Sequence, residues 1–559
     1  MNNKDDLKSL YLALILSVVV VMGVNYFFPK QTQTEQSEPT EIQTPVAEND
    51  VASADDSQAD EIVFQDKKNV LSQDSRLKIK NDSISGSVRL KGVRFDDVLL
   101  TKYKQTIDEN SQSVELLSPS KTENAFFAEY GWLSTDANLN LPNSETLWQI
   151  EKGEELTPTT PVRLSWENGQ GVKFIYDISL DDHYLFDIKQ TVENNTDHEI
   201  SLIPYGLISK YIDPKTLSRS VVHEGFTAII DDKLEEIKYP NIDQDGKKFE
   251  TTGGWVSFSD KYWFGAFVFN PNYKSDVHVR KIKDNLYQLD FKGLPMQLQA
   301  GSSSAVNTRF YAGAKEIKLL DAYSKDIEKF DLAVDFGWYY FITKPFFYIL
   351  DFLYHLIGNM GWAILLFAAL LRLFMFPIAN KSFESMSKMK KIQPQMTALQ
   401  EKYKDDRVGL QRATMELYKR EKVNPASGCL PMFIQIPIFF SLYKVLNIAI
   451  EIRHAPFIGW IKDLSAPDPL TISVWSHIPL PSILDIGIWP ILMGLTMWLQ
   501  QKLNPAPANK EQAKMFAMLP FIFTLMLGHF ASGLVIYWTL SNILSLIQQK
   551  TIMYKNGVK

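Results

Sequence analysis

Apolar residues follow two unlike rhythms along the chain. From about Ile62 to Leu320 they fall in short alternating segments such as Val172–Leu180 (VKFIYDISL), Tyr184–Val192 (YLFDIKQTV) and Tyr262–Asn270 (YWFGAFVFN), separated by turn signals at Asn195–Asp197 and Asn270–Asn272. A period of two predicts half-buried strands, and many such segments in series predict one large antiparallel β domain, a sandwich. After Gly361 the rhythm changes to long apolar runs, at Gly361–Ile378, Cys429–Ile450, Ile486–Leu499, Met515–Phe530 and Gly533–Ile547. With Leu10–Phe28 near the start they make six candidate membrane spans. Two of the late runs are short or carry Pro490, Pro520 and Gly528, which suits thin or tilted packing.

The segments between these blocks complete a domain plan. Residues 1–30 read as an uncleaved signal anchor, because the apolar core is long and no small-residue cleavage site follows it. Residues 31–61, rich in Gln, Thr, Ser, Glu, Asp and Pro and free of Lys and Arg, read as a disordered acidic linker. The β domain then occupies 62–329. Residues 330–358 are crowded with Trp, Tyr and Phe but interrupted by Lys344, Pro345, Asp351 and His355, a mixture that suits a helix lying along the membrane–water interface. The remainder, 359–559, holds five spans, with membrane helices expected near 361–380, 429–450, 486–502, 515–530 and 533–550 and a cytoplasmic helical hairpin at 381–425.

Charge sets the orientation. The net charge of −7 argues against a general nucleic-acid binder, yet Lys and Arg crowd into Lys381–Lys422 and are sparse in Glu451–Asp485. The positive-inside rule puts the basic loop in the cytoplasm and, counting spans, both termini with it; the β domain lies across the membrane. Cys429 is the single cysteine, so one chain can build no disulfide, thiolate metal site or redox pair. His183, His198, His223 and His278 in the β domain show no metal-ligand spacing, and no nucleophile motif accompanies them.

Arg372 is the residue that demands a role. It lies inside Gly361–Ile378, and no Asp or Glu occurs in the other long runs to pair with it. An ionisable group at membrane depth costs about 2.5–3.5 kcal/mol on insertion scales, so it faces a partner, a watery cavity or a substrate. Lys381, where the basic stretch begins, is about 13 Å further along a helix, more than snorkelling alone covers. Ala368 and Ala369, one turn back, leave room for water. On the last run Tyr537, Ser541, Ser545 and Gln548 share one helical face with Trp538, Asn542 and Gln549 beside it; Gln435 stands alone in the third span, and Thr496 with Gln500 forms a shorter polar line. Such side chains join helices singly, but together with Arg372 they suggest a hydrophilic intramembrane cavity. In the basic loop Met386, Met389 and Met396 follow helical spacing among Lys388, Lys390 and Lys391. They fit either contact with a hydrophobic segment or ribosomal RNA, or plain packing within the hairpin.

The stretches ALLRLFMFPI, SMSKMKKIQPQM, LQEKYKDD, LYKREKVNPASGCLPMFIQIPIFFSLY, HAPFIGWIKDLSAPDP, PILMGLTMWLQQKL and SGLVIYWTLSNILSLIQQ resemble the YidC branch of the YidC/Oxa/Alb membrane protein insertases, and GGWVSFSDKYW and RFYAGAKE resemble its Gram-negative form. The resemblance implies a polytopic α-helical membrane protein with six spans, a five-helix insertase core and a large periplasmic antiparallel β-supersandwich domain, in the bacterial inner membrane. It implies a non-enzymatic insertase and chaperone without cofactors, which receives nascent membrane proteins through a groove, alone or with the Sec translocon (SecYEG, SecDF). The ribosome, the signal recognition particle receptor and the lipid bilayer are the other implied partners. Groove positions carry over to Arg372, Gln435, Gly533 and Tyr537, with Trp538 and Ser541 beside them. His529 and Ala531 depart from the Trp and Pro often found near the outer end of the groove, and Ala368 stands where a polar residue is sometimes seen. Two other classes stand against this one. An anion transporter or channel would also use an intramembrane Arg, but no internal repeat is visible; an anchored carbohydrate enzyme would leave five spans unexplained.

Overall fold

The computed structural model describes residues 64–215, 222–404, 406–421, 423, 430–505 and 510–557. The expected anchor (1–30) and linker (31–61), and Cys429, lie outside the described residues.

Among the described residues the β domain consists of an eleven-stranded and a nine-stranded sheet, antiparallel except where Lys78–Ile79 runs alongside Glu155–Leu156. Alternation sets the register. Val172–Leu180 pairs with Leu185–Asn194 so that Ile178 faces Ile188 and Phe174 faces Val192, all four buried, while the Asp187 and Lys189 positions between them look to solvent. The long strand Ser303–Ala314 runs between Leu185–Asn194 and Trp263–Val268 in the interior of the nine-stranded sheet. Aromatic side chains fasten one sheet to the other. Phe95 meets Phe186 at 5.3 Å, Tyr130 meets Phe267 at 5.1 Å and Phe267 meets Phe291 at 5.0 Å, each pair edge-on. Contacts of this geometry add about 0.5–1.5 kcal/mol each beyond area burial. This is a sandwich core.

Helices carry the rest of the chain: α1 (Lys67–Leu71), α2 (Ile317–Tyr323), α3 (Tyr340–Ile357), α4 (Met360–Lys391), α5 (Gln393–Lys402), α6 (Arg407–Arg420), α7 (Leu430–Ile448), α8 (Ile472–Ser476), α9 (Ile488–Leu503), α10 (Lys510–Leu527) and α11 (Ser532–Lys555). Of the described helices, α4 alone is both long and apolar enough to cross a membrane by itself. Its 32 residues extend about 48 Å, so it also forms the first arm of the basic hairpin. The chain breaks at Ile392 and restarts with Pro394 in the first turn of α5, where the missing N–H costs nothing.

The aromatic segment differs from its sequence reading in one respect. The expected helix from residue 330 begins instead at Tyr340, because Phe330 is fully buried in the β domain among Trp255, Phe264 and Tyr311. Aromatic density alone does not distinguish a ring that faces lipid from one that plugs a sandwich. Lys344, unsuited to a span, is bonded to Asp321 at 2.8 Å and Asp331 at 2.7 Å; these carboxylates hold its ammonium well above the usual lysine range despite burial, which opposes it. On α3 Phe347, Leu350 and Leu353 face inward while Phe341, Phe352 and Leu356 are exposed.

Candidate functional site

The starts of α4 and α11 are brought together by one loop. Asn359 caps α4 by accepting from Trp362 N at 3.1 Å, and its amide donates to the Phe457 carbonyl at 3.3 Å. Ser532 N donates to Ala466 O at 2.7 Å and Gly533 N to Leu464 O at 3.0 Å, so orphan donors of α11 are satisfied by the same loop. Close approach requires Gly361 and leaves only tight room at Gly533. A Cβ on Gly361 would come within 2.0 Å of the Phe457 ring, and one on Gly533 within 3.1 Å of Leu464 O and 3.3 Å of Ile364. Segment 455–466 therefore seals the end of the helix group nearest the β domain. Gly533 belongs to that seal, and Ile364 lies about 12 Å along α4 from Arg372.

Beyond the seal Arg372 is half-buried, and among the described residues its Nε is enclosed with no hydrogen-bond partner and no carboxylate forms an ion pair with it. The Tyr537 hydroxyl is close enough to interact with it electrostatically. That hydroxyl accepts from Gln435 Nε2 at 3.2 Å, so α4, α7 and α11 converge on one polar point. Ala368 is packed and Ala369 exposed, so they do not both open onto the guanidinium.

The polar line on α11 divides between neighbours. Gln548 donates to Phe376 O of α4 at 3.4 Å, whereas Asn542 donates to Thr496 of α9 at 3.2 Å and Gln549 to Asn504, just past α9, at 3.0 Å. Ser545 returns its hydroxyl to Ser541 O at 2.7 Å, and Ser541 is half-buried. Trp538 turns away from Tyr537 onto Phe439 at 4.6 Å and Phe523 at 6.1 Å. It is a packing residue between α7 and α10. Helix joining therefore absorbs much of this line, and Arg372, Gln435 and Tyr537 form the polar centre.

In the hairpin Met386 packs with Ala379, Phe383 and Ile552, and Met396 with Ile392 and Leu417, accepting from Thr414 at 3.6 Å; Met389 leans on the same group. Met386 and Met396 are buried in this packing, and Met389 is half-buried. Lys388 and Lys391 are exposed and Lys390 is half-buried. Among the described residues the exposed large apolar side chains of the hairpin are Val408 and Met415, which spacing alone did not single out.

Charged groups join the helices to the β domain. Lys444 of α7 meets Asp335 at 2.6 Å, Lys318 meets Asp351 at 2.5 Å, and Arg453 donates to the Lys104 and Gln105 carbonyls at 2.7 and 3.1 Å. Glu451 accepts from Ile317 N at 3.1 Å, leaving its second oxygen buried and unpartnered. Burial first, then the like charges of Glu316 and Asp351, push its carboxyl up to about 7 against that hydrogen bond.

Comparison with known proteins follows this division. The family described as YidC periplasmic domain matches residues 76–349 and the 60Kd inner membrane protein family matches 352–558. The membrane protein insertase YidC of Beijerinckia indica is 44% identical over all of this chain and 97% of its own length. The chain belongs to the YidC insertase family. The Rickettsia bellii member is 43% identical, covering 98% of this chain and 99% of its own. A crystal structure titled as an active YidC insertase with its first transmembrane domain resolved aligns over 85% of this chain and 92% of its own, at 17% identity and a TM-score of 0.36. Members of this family are inner-membrane proteins with a periplasmic domain, so the β sandwich is the periplasmic part.

Proposed function

We propose that the chain receives hydrophobic segments of nascent inner-membrane proteins, lets their short polar flanks cross, and releases the helix into lipid, without covalent chemistry. The observation that carries this reading is Arg372, a cation at membrane depth with no carboxylate partner among the described residues, beside the Gln435–Tyr537 hydrogen bond. A charge left uncompensated by its own protein is available to an acidic flank in transit. In this reading α4, α7, α9, α10 and α11 are the five core spans and a sixth lies at the N-terminus. Both termini are then cytoplasmic and α3 lies along the periplasmic interface. Lys388, Lys390 and Lys391 present the hairpin to the ribosome or targeting factors, and the lipid-facing side of the core is free to meet the Sec translocon.

Chemistry separates attraction from hydrogen-bond geometry. If charge is what Arg372 contributes, Arg372→Lys retains insertion, and Arg372→Ala impairs substrates with acidic N-terminal tails more than those with neutral tails, read by protease protection. Equal loss for both tails in Arg372→Ala, with Arg372→Lys equally inactive, overturns the electrostatic reading.

A further inference from the structure

The loop between α7 and α9 lies on the side of the β domain, since Arg453 and Glu451 within it bond to residues 104, 105 and 317. Its second half, residues 471–487, is a hairpin closed by hydrogen bonding between Ile472 N and Ile486 O at 3.0 Å and containing the short helix α8. From Pro469 to Leu484 there is no Asp, Glu, Lys or Arg. Val474, Trp475, Ile478, Ile483 and Leu484 are nevertheless exposed, Ile483 at 66%. A contiguous apolar surface of this kind on a water-facing loop is unfavourable.

Many polar groups of this loop are bonded within it, while the His477 and Ser482 side chains are exposed. Asp485 accepts from both the N–H and the hydroxyl of Ser473, and Asp468, 3% exposed, accepts from Trp460 Nε1, Leu470 N and Trp489 N at 2.8–3.0 Å. Backbone donors of Trp475, His477 and Leu484 bond to Thr471, Ser473 and Pro481 carbonyls within 3.1 Å, and Ser482 O accepts from His529 Nε2 at 2.8 Å. Pro479 and Pro481 have no N–H to satisfy. Internal satisfaction combined with external apolarity is what a segment needs to enter a bilayer. Length points the same way. The 16 residues of α9 extend about 24 Å, short of a hydrocarbon layer of about 30 Å, so its first residue starts below the outer edge of a full-thickness bilayer.

We propose that residues 471–487 form a wedge lying in the periplasmic leaflet, with Val474, Trp475, Ile478, Ile483 and Leu484 among the upper acyl chains and the indole of Trp475 at headgroup level. The wedge continues the apolar surface that α9 is too short to supply. It rests on the reading of α9 and α10 as spans, and the test keeps the two apart. Full-length protein carrying Cys429→Ser and one new cysteine, Val474→Cys, Ile478→Cys or Ile483→Cys, is labelled with an environment-sensitive fluorophore and reconstituted in phosphatidylethanolamine–phosphatidylglycerol vesicles. Phe521→Cys on the exposed face of α10 reports the span, and Glu145→Cys in the β domain reports water. The wedge predicts blue-shifted emission at 474, 478 and 483 relative to 145, with stronger quenching by lipids carrying a nitroxide on a shallow acyl carbon than by aqueous iodide. If these sites match 145 while 521 reads lipid, the wedge is wrong and the span reading stands. If 521 also reads water, the span reading falls with it. Protection of 474, 478 and 483 from both quenchers identifies a protein contact, such as a second copy, and likewise overturns the wedge.

Discussion

Gln435 on α7 and Tyr537 on α11 share a hydrogen bond of 3.2 Å at a point where their two helices otherwise meet sparsely. Bonds of this kind between membrane helices contribute about 0.6 kcal/mol on average. Tyr537→Phe and Gln435→Leu should therefore each lower stability slightly and couple by about that amount in a double-mutant cycle measured by unfolding in detergent. Insertion should fall further than stability in both single variants, since the same groups adjoin Arg372. A coupling without any insertion defect would confine the pair to helix joining.

The seal formed by segment 455–466 predicts a reciprocal pair of substitutions. Gly361→Ala puts a methyl 2.0 Å from the Phe457 ring and should destabilise the protein by about 1–3 kcal/mol, the usual range for overpacking. Adding Phe457→Ala should restore part of the loss, measured as a recovery in melting temperature over Gly361→Ala alone. No recovery would show that the strain lies elsewhere.

Glu451 makes the junction between β domain and helices sensitive to pH. Its carboxyl, ordinarily near 4.5, is pushed up to about 7. A raised acid costs nothing below its unfolded value; the cost develops as pH rises from about 4.5 to 7 and then stays constant, reaching about 3 kcal/mol. Glu451→Gln keeps an acceptor for Ile317 N and removes the charge. It should leave stability at pH 5 nearly unchanged, raise it at pH 8, and flatten the thermal stability profile between them.

Hairpin methionines and exposed apolar residues should separate by effect. Met396→Ala removes a side chain packed between α5 and α6 and should cost about 2–5 kcal/mol of local stability, seen as faster hydrogen exchange in residues 393–420. Val408→Ser and Met415→Ser, both on the exposed surface of α6, should leave exchange unchanged; a loss of ribosome co-sedimentation in these variants would mark a contact surface.

Sidedness is best probed at exposed positions. Thr397→Cys in a Cys429→Ser background serves for the hairpin and Glu145→Cys for the β domain, since both positions are exposed. An impermeant maleimide added to spheroplasts should modify Glu145→Cys and reach Thr397→Cys only after lysis. Labelling of both from outside would contradict the six-span arrangement.

Arg372 could be singled out from sequence because its isolation is itself a pattern: one charge within an apolar run, with no opposite charge in the others. The strands were readable for a similar reason, since Val172–Leu180 and Leu185–Asn194 alternate as a one-sided surface requires. The seal was not. It depends on Gly361, Phe457, Leu464 and Gly533, and a glycine does not announce which distant backbone needs its missing Cβ. Helical spacing grouped Met386 with Met396 as one set, whereas the break at Ile392 puts them on separate helices, one packed against Ile552 and the other against Leu417. Phe330 misled because its ring is as apolar in a sandwich core as in a lipid interface.

The interior position of Ser303–Ala314 gives the β domain a chronology. Its neighbours Leu185–Asn194 and Trp263–Val268 are exported first, each with an open edge, and the gap between them closes only when this last strand arrives. At ordinary rates of translation Ser303 follows Asn194 by roughly 5–20 seconds, an interval in which unpaired edges invite wrong partners. Met360 follows Ala314 by roughly 2–9 seconds at the same rates, so the first core helix arrives soon after the sheet can close. An insertase of this build has to be helped across the membrane in the order of its own strands before it can help any other chain.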